Sequence, residues 1–294
     1  MFTAHFERFV RPARAYPQVW RLVAGIILIA AIYFLGLAVL FTLIGAFSGI
    51  TGIQEWAVKV VEASTPTSAL LMLSSYIGLA VAVFIAARVF QHRSAGTLFG
   101  PMKGLVKDFA ITAGVVALLY GVLQIAWSSA FGATQNTELL LWLTFMPLAL
   151  LAILVQTGAE ELVLRGYLQQ QLAARFRSPY IWMVLPSIAF GLLHLKLHDA
   201  STSAWLPVVS ATVFGLVAAD LTRITGSIGA SWGFHFVNNA LAVLIVAVEG
   251  TIPGLALYLT PSTVGDASQF PAVLAFRIAA LVVAWVILRR VLRR

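Results

Sequence analysis

The residues able to do chemistry lie in the second half of the chain, at helical spacings. Glu160 and Glu161 are adjacent, and Arg165 stands four residues after Glu161, the separation at which opposite charges pair along one helix face. Glu160 lies about 100° round the same helix and is left without a local partner. The two carboxylates are thus divided, one held by the arginine and the other free to move a proton. His194 follows Phe190 by four residues, and Asn239 follows His235 by four, so each pair shares a face. A base, an imidazole and two further hydrogen-bonding groups are what activation of water against an amide requires. Each segment alone also has a plainer reading: solvated boundary carboxylates, a histidine joining helices, or an interhelical hydrogen-bonded pair. Their concentration in three stretches, where other apolar stretches are nearly free of such groups, points to a site.

The elements that must position them follow from composition. Of 294 residues, 61% are apolar and 10% charged, with 19 Lys+Arg against 11 Asp+Glu. An ordinary soluble domain carries about 25% charged residues, so a soluble enzyme and a nucleic-acid module are both excluded. There is no cysteine, hence no thiol nucleophile, disulfide or thiolate metal site. Apolar runs long enough for a bilayer fall at about 20–48, 68–90, 109–131, 139–164, 180–197, 204–222, 227–248 and 271–290. The fold class expected is an all-α polytopic transmembrane bundle of about eight spans, forming a single membrane domain over 1–294. Ahead of it, 1–19 reads as an amphipathic segment, with Phe2, Phe6, Phe9 and Val10 between Arg8, Arg11 and Arg14, suited to lying among lipid headgroups. Residues 155–240 hold the motifs.

Basic residues set the orientation. With the N-terminus in the cytoplasm, alternation leaves Lys59, Lys196 and Arg277 outside and the other Lys and Arg inside, including Arg88, Arg93, Lys103, Lys107, Arg165, Arg175, Arg177, Arg223, Arg289 and Arg290. Both termini are then cytoplasmic, as suits a bacterial inner membrane. Glu160 falls near the inner boundary, while His194 is roughly 20 Å along its span from residue 180. The two meet only through tilt or a bend, to which Pro186 would contribute. A cavity open to the cytoplasm is the expected way for water to reach them. His198, four residues after His194 and beside Asp199, reads as part of an exposed loop.

Two other motifs fail on context. Gly229-Ala230-Ser231-Trp232-Gly233 spells the serine-hydrolase elbow, but that motif needs a strand-to-helix turn, and here it sits in an apolar helical run. H-E-x-x-H, the zinc-binding helix signature, is absent. What the chain resembles is the CPBP family of intramembrane proteases, which includes type II CAAX prenyl endopeptidases and bacterial Abi proteins. E-E-x-x-x-R matches Glu160, Glu161 and Arg165; F-x-x-x-H matches Phe190 and His194; H-x-x-x-N matches His235 and Asn239. The resemblance implies Glu160 as the base that activates water, assisted by His194, with His235 and Asn239 stabilising the oxyanion. It implies Glu161 and Arg165 as a structural pair, and a membrane-bound peptide or protein, with prenylated CAAX-type chains among the candidates, as substrate. Metal use stays open: Glu160, His194 and His235 could serve as three zinc ligands, and a metal-free mechanism is slightly favoured. A proton-coupled transporter would carry a similar inventory, as would a non-enzymatic membrane partner or immunity protein.

Overall fold

The computed structural model describes residues 2–130, 132–195, 204–248, 251–261 and 270–293; His198 and Asp199 lie outside them. Its helices are α1 (Ala4–Val10), α2 (Val19–Glu62), α3 (Pro66–Ser74), α4 (Tyr76–Gln91), α5 (Gly96–Phe99), α6 (Met102–Ala130), α7 (Leu139–Glu161), α8 (Gln170–Arg175), α9 (Leu185–Leu192), α10 (Trp205–Thr225), α11 (Gly229–Ala240) and α12 (Phe270–Val291). Several are one rod in practice: α3 runs into α4, and α7 continues through a π-helical stretch, Leu162–Gln169, into α8. Among the described residues, six helices are long and apolar enough to cross a membrane, the fourth running Leu139–Arg175. The fifth and seventh expected spans are shorter, Tyr180–Leu192 and α11 with a π-turn to Ile245. The first stops just short of His194, and the second carries Asn239 in its last α-helical turn and leads into a strand at Val246.

The helix ends follow local chemistry. Thr65 and Ser68 cap α3 reciprocally, with Pro66 in the first turn, where its missing N–H costs nothing. Gly226 takes a left-handed conformation (φ 73°) to end α10, and its N–H returns to the Thr222 carbonyl. Gly49, also left-handed, kinks α2. The all-α expectation holds apart from three short strands at one end of the bundle: β1 (Thr134–Gln135), β2 (Val246–Val248) and β3 (Tyr258–Thr260). β3 lies in the middle, antiparallel to β1 and parallel to β2.

The opposite end holds the arginines and is tightly closed. There the apolar stripe of α1 packs on the bundle. Phe6, Phe9 and Val10 are fully buried, and Phe6 packs on Trp182 with ring centres 5.0 Å apart. The apolar stripe that would have met lipid meets protein instead, and a stripe alone cannot distinguish the two. Three consecutive glutamines fix this closure: Gln169 donates to Ala219 O (3.0 Å), Gln170 to Phe9 O, and Gln171 to Tyr16 O (3.1 Å). Buried Arg93 donates to the Gln170 and Gln171 side-chain oxygens. Burial brings its guanidinium down to about 10, still a cation at neutral pH. Asp220 joins α10 to α12 through Trp285 (2.8 Å) and Arg289 (3.4 Å), and pairs with Arg223 on its own helix (2.7 Å).

Candidate active site

The fourth span does not end at residue 164. Arg165 is buried, and the helix runs on to Arg175, so Glu160 stands about 22 Å from that end rather than at the inner boundary. This removes the difference in depth from His194. The extension is polar in sequence, yet its side chains are satisfied by neighbouring helices, so polarity there did not mark an exit from the membrane.

Arg165 donates through Nη1 to Glu161 Oε1 at 3.0 Å and through Nη2 to the Gly215 carbonyl at 3.1 Å. The expected pair is therefore real, and it ties α7 to α10. Glu161 Oε1 also accepts from His235 Nδ1 at 2.9 Å. The other ring nitrogen, Nε2, faces Glu160 Oε2 at 3.4 Å. His235 thus stands between the two carboxylates. With Nδ1 donating to Glu161, a bare Nε2 lone pair against a carboxylate would be repulsive. A proton on Nε2 would let His235 donate to both carboxylates at once.

Close backbone approach makes this possible. α11 lies on α6 so tightly that a Cβ on Gly229 or Gly233 would run into the Leu105 or Phe109 carbonyl oxygen, which bears out the small-residue face expected there. Gly158 in turn accommodates the Trp232 indole, whose Nε1 donates to Leu154 O at 3.1 Å.

Asn239 donates to Gln156 Oε1 at 3.0 Å and accepts from Asn238 at 3.1 Å, so one of its two N–H groups is engaged. His194 is held through Nδ1 at 2.9 Å from the Phe190 carbonyl, which leaves Nε2 free. The Phe190 ring is 4.7 Å from the His194 ring, 5.9 Å from His235, and beneath the Arg165 guanidinium at 5.6 Å. That explains an aromatic four residues before the histidine: it packs both imidazoles and the arginine at once.

A cavity of about 500 Å³ gathers Glu160, His194, His235 and Asn239 on one wall system, together with Gln156, Tyr76 and Tyr120. His194 and Glu160 share the cavity without an ion pair or hydrogen bond between them. Tyr76 was missed by sequence reasoning. Its hydroxyl lies within hydrogen-bonding reach of Glu160, but it sits on a distant helix with no motif to mark it. As placed, Glu160, His194 and His235 do not fit a three-ligand zinc site: among the described residues no three His, Asp or Glu side chains come together at metal-binding spacing.

The cavity lining bears on the expected access route. Its far lining is Pro207, Val246, Val248, Thr251 and Ile252, the end that carries the strands. The arginine-bearing ends of α4, α8, α10 and α12 lie at the other end. A cavity opening past these strands would face the side opposite the arginine-bearing ends.

Fold and site together define a polytopic membrane protein with a carboxylate–imidazole centre inside the bundle. Residues 140–241, which hold every motif residue, match the family model described as Type II CAAX prenyl endopeptidase Rce1-like. This is the family that the three motifs resemble, one of membrane-embedded proteases. The chain is also 26% identical to the uncharacterized protein YyaK of Bacillus subtilis (strain 168), over 84% of this chain and 86% of that one. No solved structure matches it.

Proposed function

We propose that the protein is an intramembrane endopeptidase that hydrolyses a peptide bond of a membrane-associated substrate by glutamate-activated water. The observation that carries this is the Glu160–His235 pair, 3.4 Å apart, on the wall of a cavity of about 500 Å³, with the second carboxylate, Glu161, paired to Arg165. Glu160 takes a proton from water as the oxygen adds to the carbonyl carbon. The tetrahedral oxyanion is received by the free N–H of Asn239. The proton then passes to the amide nitrogen as the C–N bond breaks, leaving a carboxylate and an amine. His194, with Nε2 free, assists that transfer.

The role first given to His235 changes. Both its nitrogens face carboxylates, so it sets the proton on Glu160 instead of binding the oxyanion. Zinc enters no step. A prenylated CAAX-type chain is one substrate of the class, and an apolar membrane peptide is the broader one. With the termini cytoplasmic, the substrate reaches the site from the lipid or from the extracytoplasmic half. The test is to compare membrane peptides in cells carrying wild type and Glu160→Gln. Fragments that appear only with wild type are expected. Identical peptide sets, with purified Glu160→Gln cutting reporter peptides at the wild-type rate, would overturn the assignment.

A further inference from the structure

Tyr76 has no part in the steps above, yet its hydroxyl approaches the carboxylate that performs them. It stands on the cavity wall at the head of α4, where α3 gives way to α4 at Ser75. The same rod brings Met72 and Leu73 to the cavity, and both are apolar. A phenol among them, facing Glu160 from a helix packed along α7, has a purpose beyond filling space.

The direction of that phenol is fixed from α2. The Tyr33 ring packs on Tyr76 with ring centres 6.1 Å apart. Ser75 gives its proton to Met72 O at 2.6 Å, so in the 3.3 Å contact between the Tyr33 and Ser75 hydroxyls the tyrosine donates. Glu160, by contrast, is held from one side only by the groups described so far. Its Oε2 lies 3.4 Å from His235 Nε2, long for a charge-assisted hydrogen bond. Arg165 is already engaged by Glu161 and by Gly215 O. Ordering a glutamate side chain costs rotamer freedom, and a misplaced catalytic group loses rate steeply. His235 can donate to Glu160 only while Nε2 carries a proton. A neutral phenol always has one proton to give.

We infer that Tyr76 is a positioning residue, whose hydroxyl donates to the Glu160 carboxylate and holds the base toward the cavity whatever the protonation state of His235. Glu160 is then fixed between a donor on α4 and one on α11, and its own helix supplies only the backbone that carries it. The inference rests on Glu160 as the base for its purpose, but the contact itself is tested without turnover.

The experiment uses full-length protein in nanodiscs and two readouts. The infrared difference between wild type and Glu160→Gln isolates the bands of the Glu160 carboxyl group, and cleavage of an apolar reporter peptide gives kcat and KM. Tyr76→Phe keeps the ring and removes the hydroxyl. It should shift those bands and lower kcat about 10- to 100-fold, the worth of one hydrogen bond to a charged group, with KM nearly unchanged and melting near wild type. A ring-fluorinated tyrosine in place of Tyr76, a stronger donor of almost the same size, should shift the bands in the opposite direction, and it carries the test if Tyr76→Phe does not fold. Tyr120→Phe removes another hydroxyl from the same cavity, one without a hydrogen-bond partner, and should change neither readout. Bands that stay in place, a loss confined to KM, an unchanged kcat, or the same changes in Tyr120→Phe overturn the positioning role. Bands that shift in a protein whose wild type cuts no peptide keep Tyr76 as the residue that orients Glu160 and overturn the protease reading. Cleavage that needs Glu160, with bands unmoved by Tyr76→Phe, does the reverse.

Discussion

Removing Arg165 tests the electrostatic frame of the site most directly. Glu161 is completely buried and Arg165 is 2% exposed. The arginine supplies one hydrogen bond to Glu161 Oε1 and one to Gly215 O. In Arg165→Met the Glu161 carboxylate keeps the His235 contact but loses its arginine. Leaving one member of a buried pair uncompensated costs about 3–5 kcal/mol. On the scale of about 2–4 °C per kcal/mol for chains of 150–250 residues, melting in detergent should fall by roughly 10 °C. Glu161→Leu should cost a similar amount. The double substitution should cost less than the sum of the two, because apolar groups replacing both partners leave no orphaned charge. The assay is thermal unfolding of all four proteins, arranged as a double-mutant cycle. Melting of Arg165→Met within about 2 °C of wild type, or strictly additive losses, would refute the buried pair as the frame that holds His235 between the carboxylates.

Asn239→Ala should lower kcat by about 10²–10³, the usual loss for one oxyanion donor, with KM nearly unchanged; a change confined to KM would assign Asn239 to substrate binding. Gly233→Leu should separate α11 from α6 and lose about 1–3 kcal/mol by overpacking, together with activity; wild-type melting would mean the helices can part freely. Turnover should persist in a strong chelator, and inactivation reversed by added zinc would replace glutamate-activated water with metal chemistry. Because the chain has no cysteine, Thr251→Cys and Arg293→Cys give clean topology labels. An impermeant maleimide should label Thr251→Cys on intact cells and Arg293→Cys only after permeabilisation, whereas the opposite pattern would invert the proposed orientation.

Much of this site was legible because its contacts follow one helix. The Glu161–Arg165 pair, the Phe190–His194 contact and the Gly229/Gly233 face all come from periodicity, and the structure has each of them. What was not legible depends on other helices. Tyr76 near Glu160 has no sequence signature. His235 spaced between two carboxylates looks, in sequence, like a donor sharing a face with Asn239. The run past Arg165 reads as the end of a span because Arg165 and Gln169–Gln171 are polar. They stay inside because carbonyls of Gly215, Ala219, Phe9 and Tyr16 accept from them. The strands are too short, at two or three residues, to leave a pattern of alternation.

The aromatic and glutamine closure at the arginine-bearing end has a consequence for what the reaction centre can sense. Phe6, Phe9 and Trp182 are packed shut there, and the cavity lining lies toward the strands. Small solutes are therefore expected to reach Glu160 past the strand end and not between Phe6, Phe9 and Trp182. Packed side chains fill the arginine-bearing end, while the cavity lining runs to the strand end. A polar inhibitor that cannot cross a bilayer is then expected to act when added on that side and to be without effect when added opposite.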